Sequence, residues 1–139
     1  MKKLIVTDAN ILIRSVLGKR VSQLLEQYSE KVELFTTATC YDEARQHLPN
    51  ILKQRNESLE LYLAIVDSLE TIVSPLGEDI YGPFEEEARR RIGLRDERDW
   101  PLLALALALD CPVWTEDHDF FGTGVATWNT QNVETYLSS

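Results

Sequence analysis

Apolar residues recur along the chain with two different periods, and the switches between them set out an alternation of strands and helices. KLIVT, residues 3 to 7, is a short run rich in β-branched residues that ends at Asp8, which predicts a buried strand with a carboxylate at its C-terminal tip. Ile11, Leu12, Ile13 and Val16 predict a helix, and Val21, Leu24, Leu25 and Tyr28 a second, amphipathic one. VELFT, 32 to 36, reads as the next strand. Thr37 or Thr39 can cap the helix that follows, with Asp42 and Glu43 in its first turns, and Leu48-Pro49 predicts its end or a break. Leu52, Leu59, Leu63, Val66 and Leu69 then predict one long helix over residues 51 to 69.

TIVSPL, 71 to 76, predicts a third strand stopped by Pro75, and FEEEARRRI, 84 to 92, a charged helix leading into the polar connection GLRDERD. WPLLALALALD, 100 to 110, alternates like a strand, but its alanines and leucines favour helix, with Asp99 as N-cap and Pro101 in the first turn. CPVWT as a strand, an acidic stretch, GVATW as a last strand and NVETYL as a terminal helix complete the chain. This order predicts a single domain over residues 1 to 139, a three-layer α/β/α fold with a mainly parallel central sheet.

Composition narrows the class. An apolar fraction of 44% in 139 residues is enough for a sizeable core, and Asp+Glu 23 against Lys+Arg 14 gives a formal charge of -9. Bulk attraction to nucleic acid is excluded, so such a partner requires a local basic patch or bridging cations. Cys40 and Cys111 lie far apart without metal-ligand spacing, and are read as buried thiols of a reducing, cytoplasmic setting. The start has the basic pair and apolar run of a signal peptide, but Asp8, Asn10 and Arg14 interrupt it. No segment offers the roughly 18 apolar residues of a membrane span.

Candidate chemistry lies in the acids. VWTEDHDFFGTG, 113 to 124, places Glu116, Asp117 and Asp119 directly after an apolar strand. In open parallel sheets, ligands bind beyond the carboxyl ends of the strands, where Asp8 and Asp117 are expected. Glu43 and Asp99 stand at helix starts. Converging there, the four would raise one another's pKa or hold a hard divalent cation, and oxygen-only ligands suit Mg²⁺ or Mn²⁺. Two such ions can clamp a phosphodiester without a Ser or His nucleophile. Each acid also has a plainer reading: Asp8 and Asp99 as caps, Glu43 as a solvated helix residue, Asp119 as a turn cap. Asn10 and Thr115 can orient a water or carboxylate or make turn hydrogen bonds, and His118 reads as a surface residue.

Together these residues resemble a PIN domain, the nuclease fold of VapC-type toxins from bacterial toxin-antitoxin pairs. The resemblance runs from IVTDANIL through the Glu43 helix to RDERDWPLLALALALDCPVWTEDHDFFGTGVATW, essentially the whole chain. The family's four acids match Asp8 after the first strand, Glu43 in the third helix, Asp99 before the fourth strand and Asp117 after it. Close relatives read nearer to RDPDDWP, so Arg98 stands where another acid would, with Asp96 or Glu97 as substitutes. The resemblance implies a Mg²⁺- or Mn²⁺-dependent endoribonuclease with Asp8, Glu43, Asp99 and Asp117 as metal ligands, an RNA substrate, a homodimer and an antitoxin partner.

Two basic clusters, Arg89, Arg90, Arg91, Arg95 and Arg98 before Asp99, and Arg45, Lys53 and Arg55 after Glu43, could position phosphates beside that pocket. Alternatively Glu85 to Glu87 pair with Arg89 to Arg91 along one helix. Competing classes are a PIN-fold binding or regulatory protein that does not cleave RNA, and a phosphoryl-accepting receiver or phosphatase. TDANIL lacks the second Asp and the Thr of a DxDxT phosphatase motif, and no Lys follows Lys53 to serve a receiver.

Overall fold

The computed structural model describes residues 2–139. Its elements follow the chain as β1 (Lys3–Thr7), α1 (Ala9–Leu17), α2 (Arg20–Tyr28), β2 (Val32–Thr37), α3 (Ala38–Arg55), α4 (Leu59–Leu69), β3 (Val73–Leu76), α5 (Glu78–Tyr81), α6 (Glu85–Ile92), α7 (Trp100–Leu109), β4 (Val113–Trp114), β5 (Thr127–Trp128) and α8 (Val133–Leu137). The five strands form one sheet in the order β3-β2-β1-β4-β5, parallel throughout and flanked by helices. This is the α/β architecture expected from the alternation.

The chain winds from β1 out to β3 and then returns to the other side of β1. The sheet therefore reverses direction between β1 and β4, where Val6 and Thr7 pair with Val113 and Trp114. A crevice opens at such a switch point, beyond the strand ends. Asp8 and Thr115 stand immediately past the two strands that flank it.

Buried residues Ile5, Val6, Leu34, Val73 and Val113 give the sheet its apolar interior. Helix α7 packs on β1, β2 and β4 and is joined by α5 and α6; α1 packs against α2, α3 and α4. Trp100 and Leu102 to Ala106 are all buried, so α7 is apolar around its circumference, as a helix enclosed on all sides must be.

The strands predicted over 71 to 76, CPVWT and GVATW shorten to Val73–Leu76, Val113–Trp114 and Thr127–Trp128, and three further readings are corrected. Pro49 does not end a helix: α3 runs through it to Arg55, and buried Leu48 and Leu52 on either side anchor the helix across the missing N–H. The break falls at Asn56, whose left-handed backbone, φ 58°, and N–H bonds to the Leu52 and Lys53 carbonyls close α3. The stretch predicted as one helix over 51 to 69 thus belongs to two. Pro75 does not stop β3 but pairs with Thr36 within it, which is tolerated because β3 is an edge strand. Both cysteines are buried free thiols, and no helix among the described residues is long and apolar enough to cross a membrane.

Candidate metal centre

Asp8 has two roles at once. Its Oδ1 accepts the Ala9 N–H at 2.7 Å, capping α1, while Oδ2 accepts the Thr115 hydroxyl at 2.7 Å. Thr115 Oγ1 in turn accepts the Asp117 N–H at 2.9 Å. Asn10 reinforces the link: its Nδ2 donates weakly to Asp8 Oδ2 and to Thr115 Oγ1, and its Oδ1 accepts the Glu116 N–H at 3.3 Å. The ends of β1 and β4 are therefore tied together by side chains that also aim the carboxylates.

The three acids after β4 separate into distinct tasks. Glu116 turns aside and accepts the Thr130 N–H at 2.8 Å. Asp117 Oδ1 caps the following 3-10 turn through the Asp119 N–H at 3.0 Å. One carboxylate oxygen from each of Asp99, Asp117 and Asp119 lies within 4.8 Å of the others, the one such cluster among the described residues. His118 is exposed and stacks on Phe121 with ring centroids 5.0 Å apart.

Asp8, Glu43 and Asp99 line one pocket of about 420 Å³ together with His47, Arg98 and Pro101. The four acids singled out in the sequence thus share this end of the sheet, but the tightest cluster substitutes Asp119 for Asp8 and Glu43. Both Asp8 oxygens already accept hydrogen bonds, and Glu43 reaches the pocket from a different helix, α3.

Of the two readings open for Asp99, metal ligand and side-chain cap, the cap is not made. Asp99 occupies the N-cap position of α7 in a helical conformation and caps nothing. Its Oδ2 is buried and has no hydrogen-bond partner among the described residues. An unpartnered buried carboxylate oxygen is costly. Burial, then the charges of Asp8, Asp117, Asp96 and Asp119, push its pKa up to about 7. Burial likewise raises Asp8 to about 6 against the opposing Thr115 and Ala9 hydrogen bonds, with Glu43 and Asp117 adding repulsion. A hard cation would relieve both, and an all-oxygen donor set fits one.

The predicted basic rim is largely committed elsewhere. Arg89 pairs with Glu85 and Arg91 with Glu87, each at 2.8 Å, and Arg90 also pairs with Glu87. Arg45 joins Asp67 of α4 and Glu70, which follows that helix. Arg98 holds Asp96 through two side-chain bonds, depressing its pKa, so Asp96 is a poor substitute for the acid that Arg98 displaces.

Two arginines have a role invisible in the sequence. Arg95 Nη1 donates to the Asp119 carbonyl at 2.7 Å and to that of Phe121, and Arg91 Nη1 to the Thr123 carbonyl at 3.0 Å. They clamp the acidic loop by its backbone. Gly122 and Gly124, at φ 82° and 84°, supply the left-handed turns this path needs, and a Cβ on Gly124 would lie 2.9 Å from Arg91 Nη1.

Among solved structures, VapBC2 from Rickettsia felis, bound to a DNA fragment from its promoter, is similar over 91% of this chain and 98% of that one, at 12% identity and a TM-score of 0.67. FitAB bound to an IR36 DNA fragment is similar over 91% and 94%, at 22% identity and a TM-score of 0.56. These likenesses concern the fold. No curated protein matches the sequence. The PIN domain profile matches residues 6–138, and with that span of agreement the chain belongs to the PIN domain family.

Proposed function

We propose that this protein is a Mg²⁺- or Mn²⁺-dependent endoribonuclease that hydrolyses RNA phosphodiester bonds, acting in the cytoplasm as the toxin of a type II toxin-antitoxin pair. The observation that carries the reading is the buried, unpartnered Asp99 Oδ2 among the carboxylates of Asp8, Asp117 and Asp119. Family membership supports nuclease chemistry. The two similar structures, both of DNA-bound complexes, support assembly with an antitoxin.

In this reading Asp8, Glu43, Asp99 and Asp117 hold the ion, and Asp119 stands beside Asp117 as a further oxygen donor. When bound, the ion supplies charge stabilisation at the scissile phosphate and lowers the pKa of the attacking water. Thr115 and the Ala9 N–H keep Asp8 oriented, and Asp117 is fixed through its own N–H on Thr115. The exposed apolar residues Leu61, Ile65 and Ile72 offer surface for a second copy or an antitoxin. The deciding experiment is RNA cleavage with Mn²⁺ by wild type and Asp117→Asn, with melting curves as a fold control. Loss of cleavage in a folded variant supports the reading. Full residual activity, or metal binding by wild type without cleavage, counts against it.

A further inference from the structure

A second pocket, of about 410 Å³, opens where the end of α1, the start of α2 and the end of α3 meet. Arg14, Lys19, Arg20 and Arg55 all line it, in a protein with a net charge of -9. Glu134 pairs with Arg20 at 3.0 Å. Arg14, Lys19 and Arg55 take part in no ion pair among the described residues, unlike the arginines of α6. These side chains are exposed, so their unpaired charge is open to an anion from solution.

Two further features favour an anion. The nine-residue α2 begins at this pocket and no side chain caps it, so its first N–H groups add positive potential. The pocket is also linked to the metal centre through shared neighbours. Arg14 lies one turn along α1 from Asn10, on the same side, and Asn10 contacts both Asp8 and Thr115. Thr130, on the pocket's other wall, donates its N–H to Glu116, the neighbour of Asp117.

We infer that the Arg14, Lys19 and Arg55 pocket is a backbone-phosphate subsite that holds single-stranded RNA a short distance from the scissile bond. The inference rests on the ribonuclease reading and deepens it: an acidic protein grips RNA through one local basic pocket rather than through the salt-bridged arginines of α6. Phosphate contacts of this kind set position and affinity without reading sequence.

The test is binding of a fluorescein-labelled single-stranded RNA, in EDTA to prevent cleavage, across a salt series. The proteins are wild type, an Arg14→Gln/Lys19→Gln/Arg55→Gln triple variant and a Lys2→Gln/Lys31→Gln control. The triple variant is expected to bind about tenfold or more weakly, with a salt slope shallower by about 2, since each phosphate contact on a single strand contributes about 0.7. In Mn²⁺ it should show a raised KM with little change in kcat, and should cleave a dinucleotide, too short to span both sites, as well as wild type does. Its melting shift with Mn²⁺ alone should equal that of wild type.

Unchanged RNA affinity in the triple variant, with wild type cleaving normally, overturns the subsite and leaves the ribonuclease reading standing. An equal loss in the control variant also overturns it, by showing a bulk charge effect. So does unchanged RNA binding together with lost binding of an oligo-glutamate peptide, which would make the pocket an acidic-peptide site. A wild type that neither binds nor cleaves RNA removes both readings.

Discussion

Thr115 donates its hydroxyl to Asp8 Oδ2 across 2.7 Å and accepts the Asp117 N–H across 2.9 Å, so one buried side chain fixes two acids from strands that meet at the sheet's switch point. Thr115→Val keeps the shape and removes both bonds. Partners that orient metal ligands are typically worth about 10–100-fold in metal affinity. The expected outcome is a weakening of Mn²⁺ binding in that range, measured by calorimetric titration, with Thr115→Ser close to wild type. A valine variant that binds Mn²⁺ as tightly as wild type would remove Thr115 from this role.

Asp99→Asn discharges the buried carboxylate whose Oδ2 lacks a partner. Without metal, the variant should melt above wild type, because its repulsion with Asp8 and Asp117 is gone. Wild type should gain about 2.7 kcal/mol with Mn²⁺ at 100 times its dissociation constant, and the variant little. If the metal-free variant melts below wild type, Asp99 is a structural acceptor instead.

The raised pKa values give the metal-free fold a pH dependence of definite sign. Folded Asp8 and Asp99 hold their protons up to about 6 and about 7, whereas both would release them near 3.8 when unfolded. The folded state therefore binds more protons through this interval, and their stabilising contribution falls as pH rises through it. Glu87 and Asp96, held low by arginines, act in the opposite sense but at lower pH. Urea unfolding in EDTA should show stability declining from about pH 5 to about pH 7.5. Mn²⁺, which requires the ionised acids, should flatten or reverse that slope. A metal-free stability that climbs across the interval contradicts the assignment.

The clamp on the acidic loop can be tested from both sides. Gly124→Ala forces a Cβ into a left-handed turn and against Arg91, and should cost about 1–3 kcal/mol of stability. Arg95→Ala removes the bonds to the Asp119 and Phe121 carbonyls. It should speed amide exchange across residues 119 to 123 and weaken Mn²⁺ binding by roughly tenfold. Unaltered exchange in that segment would show that the loop holds itself.

The order of strands and helices was legible because KLIVT, VELFT and CPVWT are compact apolar runs and α2 carries a clean helical stripe. Asp8 and Asp117 were legible as acids at strand tips, and the parallel sheet makes those tips neighbours. The break at Asn56 was not, since apolar spacing continues from Leu52 to Leu69 across a residue whose left-handed turn leaves no mark in that pattern. For Asp99 the DWP sequence left a cap and a place among the converging acids both open, and only the fold shows a side chain that caps nothing and has a buried oxygen. Arg91 and Arg95 bond to backbone carbonyls 24 to 32 residues away, and a carbonyl carries no residue-type signal. Arg14, Lys19 and Arg55 become a group only when three helix ends meet.

The orphaned Asp99 oxygen has a consequence for turnover in the cell. If its relief by a divalent ion stabilises the folded state, the time the protein survives a protease becomes a readout of free metal, because cleavage draws on the unfolded fraction. Depletion of Mn²⁺ or Mg²⁺ would then silence the centre and shorten the protein's half-life together. Digestion by thermolysin, whose zinc and calcium are tightly held, slowed by added Mn²⁺ in wild type but not in Asp99→Asn, would display that coupling directly.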